Sequence, residues 1–188
     1  RRLCPSLRLE LRLSPCLLVP LYPNQFSAAL MFALAQWHSG QSGEALDTVR
    51  EMVGRWGLYD EIKLLSGQIH LARGELEHAR RALTAGADTK HDALELERNF
   101  YLAYVYFQGG QYRNAVRALM PALAMVKQVN GHLHARARLL AAECFDRCGL
   151  PLEALRQSAH VLPEEVPGHV AAVMLQREER WVVELSHL

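Results

Sequence analysis

"GGQYRNAVRAL", residues 109–119, sets a pair of glycines against a run of good helix formers. Gly110 is placed to end one helix, because glycine adopts the left-handed conformation that closes a helix C-terminus at no steric cost. Ala115 follows five residues later, and Val116, Leu119 and Ala122 continue an apolar stripe at helical spacing. The arrangement is not unique in the chain. "SGQSGEALDTV" from Ser39, "RGELEHARRAL" from Arg73 and "CGLPLEALRQS" from Cys148 carry the same glycine and the same alanine five positions on. The glycines are Gly40, Gly74, Gly110 and Gly149, and the alanines are Ala45, Ala79, Ala115 and Ala154. Successive alanines lie 34, 36 and 39 residues apart. Self-similarity at this period marks stacked helical hairpins.

The residue types follow from packing. The glycine turns the chain after a first helix, A. The alanine lets a second helix, B, approach it closely where a long or β-branched side chain would hold the two apart. Apolar runs before the glycines predict the A helices: Leu64, Leu65, Ile69 and Leu71, then Phe100, Leu102, Ala103 and Tyr106, then Leu139, Leu140, Ala142 and Phe145. The spacing predicts four units, over about 24–57, 58–90, 91–130 and 131–162. The longer late periods predict longer helices or looser turns there.

Unit three, with Ala103, Tyr106, Gly110, Ala115, Leu119 and Ala122, resembles the tetratricopeptide repeat (TPR) family. Unit two matches with Gly67, Gly74, Ala79 and Leu83, although His70 replaces an aromatic residue. Unit four matches with Ala142, Phe145, Gly149 and Ala154, although Ser158 falls at an apolar position. Unit one keeps Ala33, Gly40, Ala45 and Val49. The resemblance covers about 24–162 and implies an all-α, TPR-like superhelical solenoid. Beyond it, residues 168–188 read as a helix with Val170, Val173, Met174, Trp181, Val182 and Leu185 apolar. Such a helix suits a cap, because the last unit of a solenoid exposes an apolar face until something covers it. Residues 1–23 alternate in "LRLELRL" as a strand would, yet have no visible strand partner, so a disordered leader is expected.

Half of the 188 residues are hydrophobic and 22% are charged, an ordinary globular balance. The formal net charge of +1 offers no field to gather nucleic acid. No apolar run approaches the length of a membrane span, and Pro20 breaks the short run from Cys16 to Tyr22. Four scattered cysteines do not form a disulfide framework, so an intracellular, cytoplasmic or nuclear setting is expected. The chain starts with Arg rather than Met, as expected of a piece of a longer protein.

Chemistry is sparse. His132 and His134, at i and i+2, point apart on a helix and read as a surface pair. Cys144 and Cys148, at i and i+4, read as structural thiols in a helix interface. The arginines in "REER", 177–180, and the pair Arg80 and Arg81 read as solvated helix faces. Phosphate-loop, zinc-protease and nucleophile-elbow motifs are absent. No enzyme activity, metal or cofactor is expected; an enzyme built on helical repeats would demand a deep pocket with clustered titratable groups.

What the repeat does supply is a groove. In the repeat register its lining comes from helices A: Glu61, Gln68, Glu97, Tyr101, Tyr104, Gln108, Arg136, Glu143 and Arg147. Tyrosine and arginine are common anchors of interfaces, and the mixed signs suit a protein or peptide partner. The carboxylate clamp of co-chaperone TPR domains needs basic and amide residues at Leu64, Gln68, Tyr101, Arg136 and Leu140, and only Arg136 is basic. Chaperone-tail capture is therefore not expected.

The stretch "ALMPALAMVKQVNGHLHARARLLAAECFDRCGLPLEAL", residues 118–155, is similar in pattern to the C-terminal repeats of anaphase-promoting complex subunit 5. That similarity implies a non-catalytic scaffold or adaptor that places other subunits of a ubiquitin-ligase assembly. Long repeats of this kind also resemble those of maltose-regulator-type transcriptional activators and kinesin light chains. The alternative is thus an effector-sensing domain of a larger transcriptional activator.

Overall fold

A computed structural model describes residues 25–57, 59–85, 92–124 and 131–186. The leader, 1–23, lies outside the described residues. Those residues form nine α-helices and one short 3-10 turn, with no strand among them. The helices are α1 (Gln25–His38), α2 (Ser42–Trp56), α3 (Asp60–Ala72), α4 (Leu76–Thr84) and α5 (Asp92–Gln108). Then come α6 (Tyr112–Ala124), α7 (Gly131–Arg147), α8 (Pro151–Ser158), the turn Pro163–Glu165 and α9 (Gly168–Ser186).

The four repeat glycines all take positive φ, between 71° and 84°, immediately after α1, α3, α5 and α7. Their turns close with a common bond pattern. For example, the Gln111 N–H donates to the Tyr106 carbonyl at 2.8 Å and the Gly110 N–H to the Phe107 carbonyl at 2.9 Å. These bonds satisfy carbonyls that the helix end leaves open. The four repeat alanines have no exposed surface at all. Each lies where helix B crosses helix A of its own unit. The late units lengthen through their A helices: α5 and α7 have 17 residues, against 14 and 13 in α1 and α3.

Each A helix packs on its own B helix, each B helix on the next A helix, and successive A helices touch directly. The A helices therefore sit closest together and line the inner surface of the curl. The core runs as a chain of clusters along the array. Ala45, Val49 and Ile69 share one, Ala79, Leu83 and Val105 the next, and Ala115, Leu119 and Cys144 a third.

Helix α9 extends the pattern. Ile69, Val105 and Cys144 each follow a small helix-A residue by two positions and pack on the preceding unit. Trp181, 2% exposed, repeats this contact against Ala142 and Ala154. By the same offset, the small residues Ala33, Gly67, Ala103 and Ala142 are followed in register by Glu179, which is exposed. Helix α9 thus takes the helix A place of a fifth unit but carries a long charged residue where a helix B would pack. It covers the apolar face of the fourth unit through Trp181 and leaves Val173, Leu175, Val182 and Val183 exposed.

Its attachment corrects the expectation of a solvated face at 177–180. Arg177 pairs with Glu143 of α7, and Arg180 pairs with both Asp146 oxygens at 2.7 Å. The Trp181 indole N–H donates to Asp146 at 2.8 Å. Both of the cluster's arginines therefore fasten α9 to α7. Arg80 and Arg81, by contrast, form ion pairs with Glu77 on their own helix, and Arg80 also bonds Tyr106 of α5.

Two other expectations need adjusting. His132 is exposed and its Nδ1 donates to the Glu165 carbonyl at 3.1 Å, but His134 is buried, at 5% exposure. The chain returns through Val161 and Val166 to cover Ala135 at the start of α7, which spacing along one helix does not reveal. Ser158 is buried at its apolar position because its hydroxyl donates to the Leu155 carbonyl at 3.0 Å. An intrahelical bond removes most of the cost of burying it.

Candidate functional site

The inner surface carries a recess of about 590 Å3 between the C-terminal halves of α3 and α5. Trp37 of α1 closes one side. Gln68 and Leu71 come from α3, and Tyr101, Tyr104 and Gln108 from α5. Four of the nine proposed groove residues, Gln68, Tyr101, Tyr104 and Gln108, thus share one concavity.

Helical periodicity explains the grouping. Tyr101, Tyr104 and Gln108 follow one another at steps of three and four and fall on one face of α5. Gln68 occupies in α3 the register position that Tyr104 occupies in α5. The Gln68 amide donates to Glu97 at 3.0 Å and also bonds Tyr101. Burial first, and then the Glu97 carboxylate, push the Tyr101 hydroxyl above its usual range, so it stays protonated at neutral pH.

Arg136 lies one unit further along, on α7. Its guanidinium sits 4.9 Å from the centroid of the Phe100 ring, a cation–π contact beside the recess. Tyr104 is stacked between Phe100 and Phe107, with ring centroids 6.4 and 6.2 Å away. The edge of Tyr104 remains exposed while its ring is held.

Glu143 and Arg147 do not join the recess. They pair with each other at 3.1 Å, and Arg177 of the cap also holds Glu143. Trp37 and Leu71 are lining residues absent from the sequence-based set. Each lies four positions after the small residue of its helix A, so the repeat register itself carried the signal.

Titratable chemistry is thin. Among the described residues, no group of three His, Cys, Asp or Glu side chains could hold a metal ion. Cys144 is fully buried, and burial pushes its thiol up to about 12, so it does not supply a thiolate near neutral pH. No helix among the described residues is long and apolar enough to cross a membrane.

The helix order, the glycine turns and the buried repeat alanines define a TPR-like helical solenoid. No protein-family model matches the chain, and no curated protein does. Among solved structures it is similar to the crystal structure of MamA, a TPR-like protein, with a TM-score of 0.63 over 88% of this chain and 85% of that one. The two sequences are 16% identical, and the likeness speaks for the fold alone.

Proposed function

We propose that this chain is a non-catalytic scaffold or adaptor module that holds a segment of another protein against its inner surface. The observation that carries the reading is the recess at Gln68, Tyr101, Tyr104 and Gln108, with Arg136 beside it. Flat aromatic area with polar tips, flanked by a guanidinium, is the composition that anchors protein interfaces. Glu97 serves by orienting Gln68, and Glu143 and Arg147 serve by holding the cap.

The test replaces Tyr101 and Arg136 together by alanine and measures capture of partner proteins from a cell extract. Capture is expected to fall by about ten-fold or more while the helical melting curve persists. Undiminished capture would remove the inner surface from the binding site.

A finer reading, a place among the subunits of the anaphase-promoting ubiquitin-ligase assembly, is supported only by the pattern over 118–155. Native purification followed by mass spectrometry tests it. Cullin-like and other repeat subunits should accompany the protein. Their absence would retire that assignment and leave the coarser one standing.

A further inference from the structure

We infer that the recess between α3 and α5 takes an uncharged, proline-rich segment of a partner protein in the polyproline II conformation. This rests on the reading of the inner surface as the binding face and adds the chemistry of what it holds.

Charge is the first argument. None of the residues that line this recess is charged. A charged side chain entering it would lose water and meet no charged group among the residues that line it. Two other recesses, of about 500 and 410 Å3, are lined by charges that already pair within the chain. Arg80 pairs with Glu77 in one, and Arg73 with Glu75 and Arg50 with Asp47 in the other. Neither offers an uncharged surface.

The second argument is the pairing of rings with free polar ends. Trp37, Tyr101 and Tyr104 present aromatic surface, on which pyrrolidine rings pack. The Tyr104 hydroxyl and the Gln108 amide have no hydrogen-bond partner among the described residues. Both side chains are exposed, so they are free to donate to a ligand in place of water. A polyproline II segment has no internal hydrogen bonds, so its carbonyls remain available. A helix has already used its carbonyls and would bring only side chains.

The third argument is rigidity. Tyr104 is held by two stacked rings, and Gln68 by Glu97 and Tyr101. A preformed site of this kind suits a ligand that is itself preorganised, because little conformational entropy is lost on either side.

The experiment titrates the full chain with a capped oligoproline peptide, and separately with a capped alanine-rich helical peptide of equal length. Calorimetry reads affinity, and amide chemical shifts locate the contact. Saturable oligoproline binding centred on α3 and α5 is expected, with weaker binding of the helical peptide. Tyr104→Ala should weaken oligoproline binding by about ten-fold or more. Tyr104→Phe should lose less, since it keeps the ring. Tyr104 lies at the surface, and an unchanged melting curve verifies that its variants fold. Three results overturn the inference: no saturable oligoproline binding, tighter binding of the helical peptide, or oligoproline binding indifferent to Tyr104→Ala. Should oligoproline fail while the Tyr101 and Arg136 double variant still loses partner capture, the inner surface remains the binding face and the polyproline chemistry falls.

Discussion

Gly67 shows how closely the helices of a unit approach. It stands on α3 where the other units carry alanine, and its Cα faces Leu83 of α4. A Cβ built there would lie 2.5 Å from Leu83 Cγ, and Leu83 is 1% exposed with no room to withdraw. Alanine would gain about 1 kcal/mol of helix propensity, but overpacking costs about 1–3 kcal/mol. Gly67→Ala is therefore expected to destabilise the fold by up to about 2 kcal/mol, read by urea denaturation. In a Leu83→Ala background the clash is gone and the same change should become neutral or stabilising. Additive costs in that double variant would refute the packing account. The motif residues were legible at this scale because each answers a local demand. Which unit needed glycine rather than alanine was not separately derivable, since unit three sets Leu119 at the same register position with Ala103, and only the closeness of Leu83 to α3 makes the difference.

Helix α4, at nine residues, is too short to persist on its own and depends on packing and on its first turn. There Glu77 accepts bonds from Arg80 and Arg81. The Arg80 hydrogen bond is the main influence, and with Arg81 it lowers the Glu77 carboxyl to about 2. A carboxylate held below its unfolded value of 4.5 adds stability that is present above that value. That contribution is lost as the pH falls toward about 2. Amide protection at the start of α4, corrected for the intrinsic exchange rate, should therefore fall between roughly pH 4.5 and 2, more at low salt than at high salt. Glu77→Gln should remove this local step. An unaltered step in that variant would assign the effect to another group. Both arginine clusters looked alike along the chain. Arg80 and Arg81 form their ion pairs on their own helix, whereas Arg177 and Arg180 fasten the cap, because only the latter have acidic residues of α7 opposite them.

At the scale of the array, α9 is held on the fourth unit by one large side chain. Trp181→Ala removes the indole buried against Ala142 and Ala154 and the bond to Asp146. The expected cost is about 3–5 kcal/mol. It should be unevenly distributed. Amide exchange should rise across α7, α8 and α9 and change little in α1 to α3, because the described helices of each unit pack chiefly on adjacent units. Uniform loss of protection along the chain would show instead a single cooperative body.

The sequence by itself determined the helical hairpins, their glycine turns and the small residues at their crossings. Those are short-range or periodic properties, written once per unit and reinforced by repetition. The sequence also placed Gln68, Tyr101, Tyr104 and Gln108 on a common face, since the repeat register orders residues on successive helices. Only the tertiary structure decided which of the nine candidate residues share a cavity and which are tied to α9. It alone buried His134 and gave Arg177 and Arg180 their partners. These outcomes depend on side chains more than 30 residues apart in sequence meeting across helices, and no local pattern encodes that meeting.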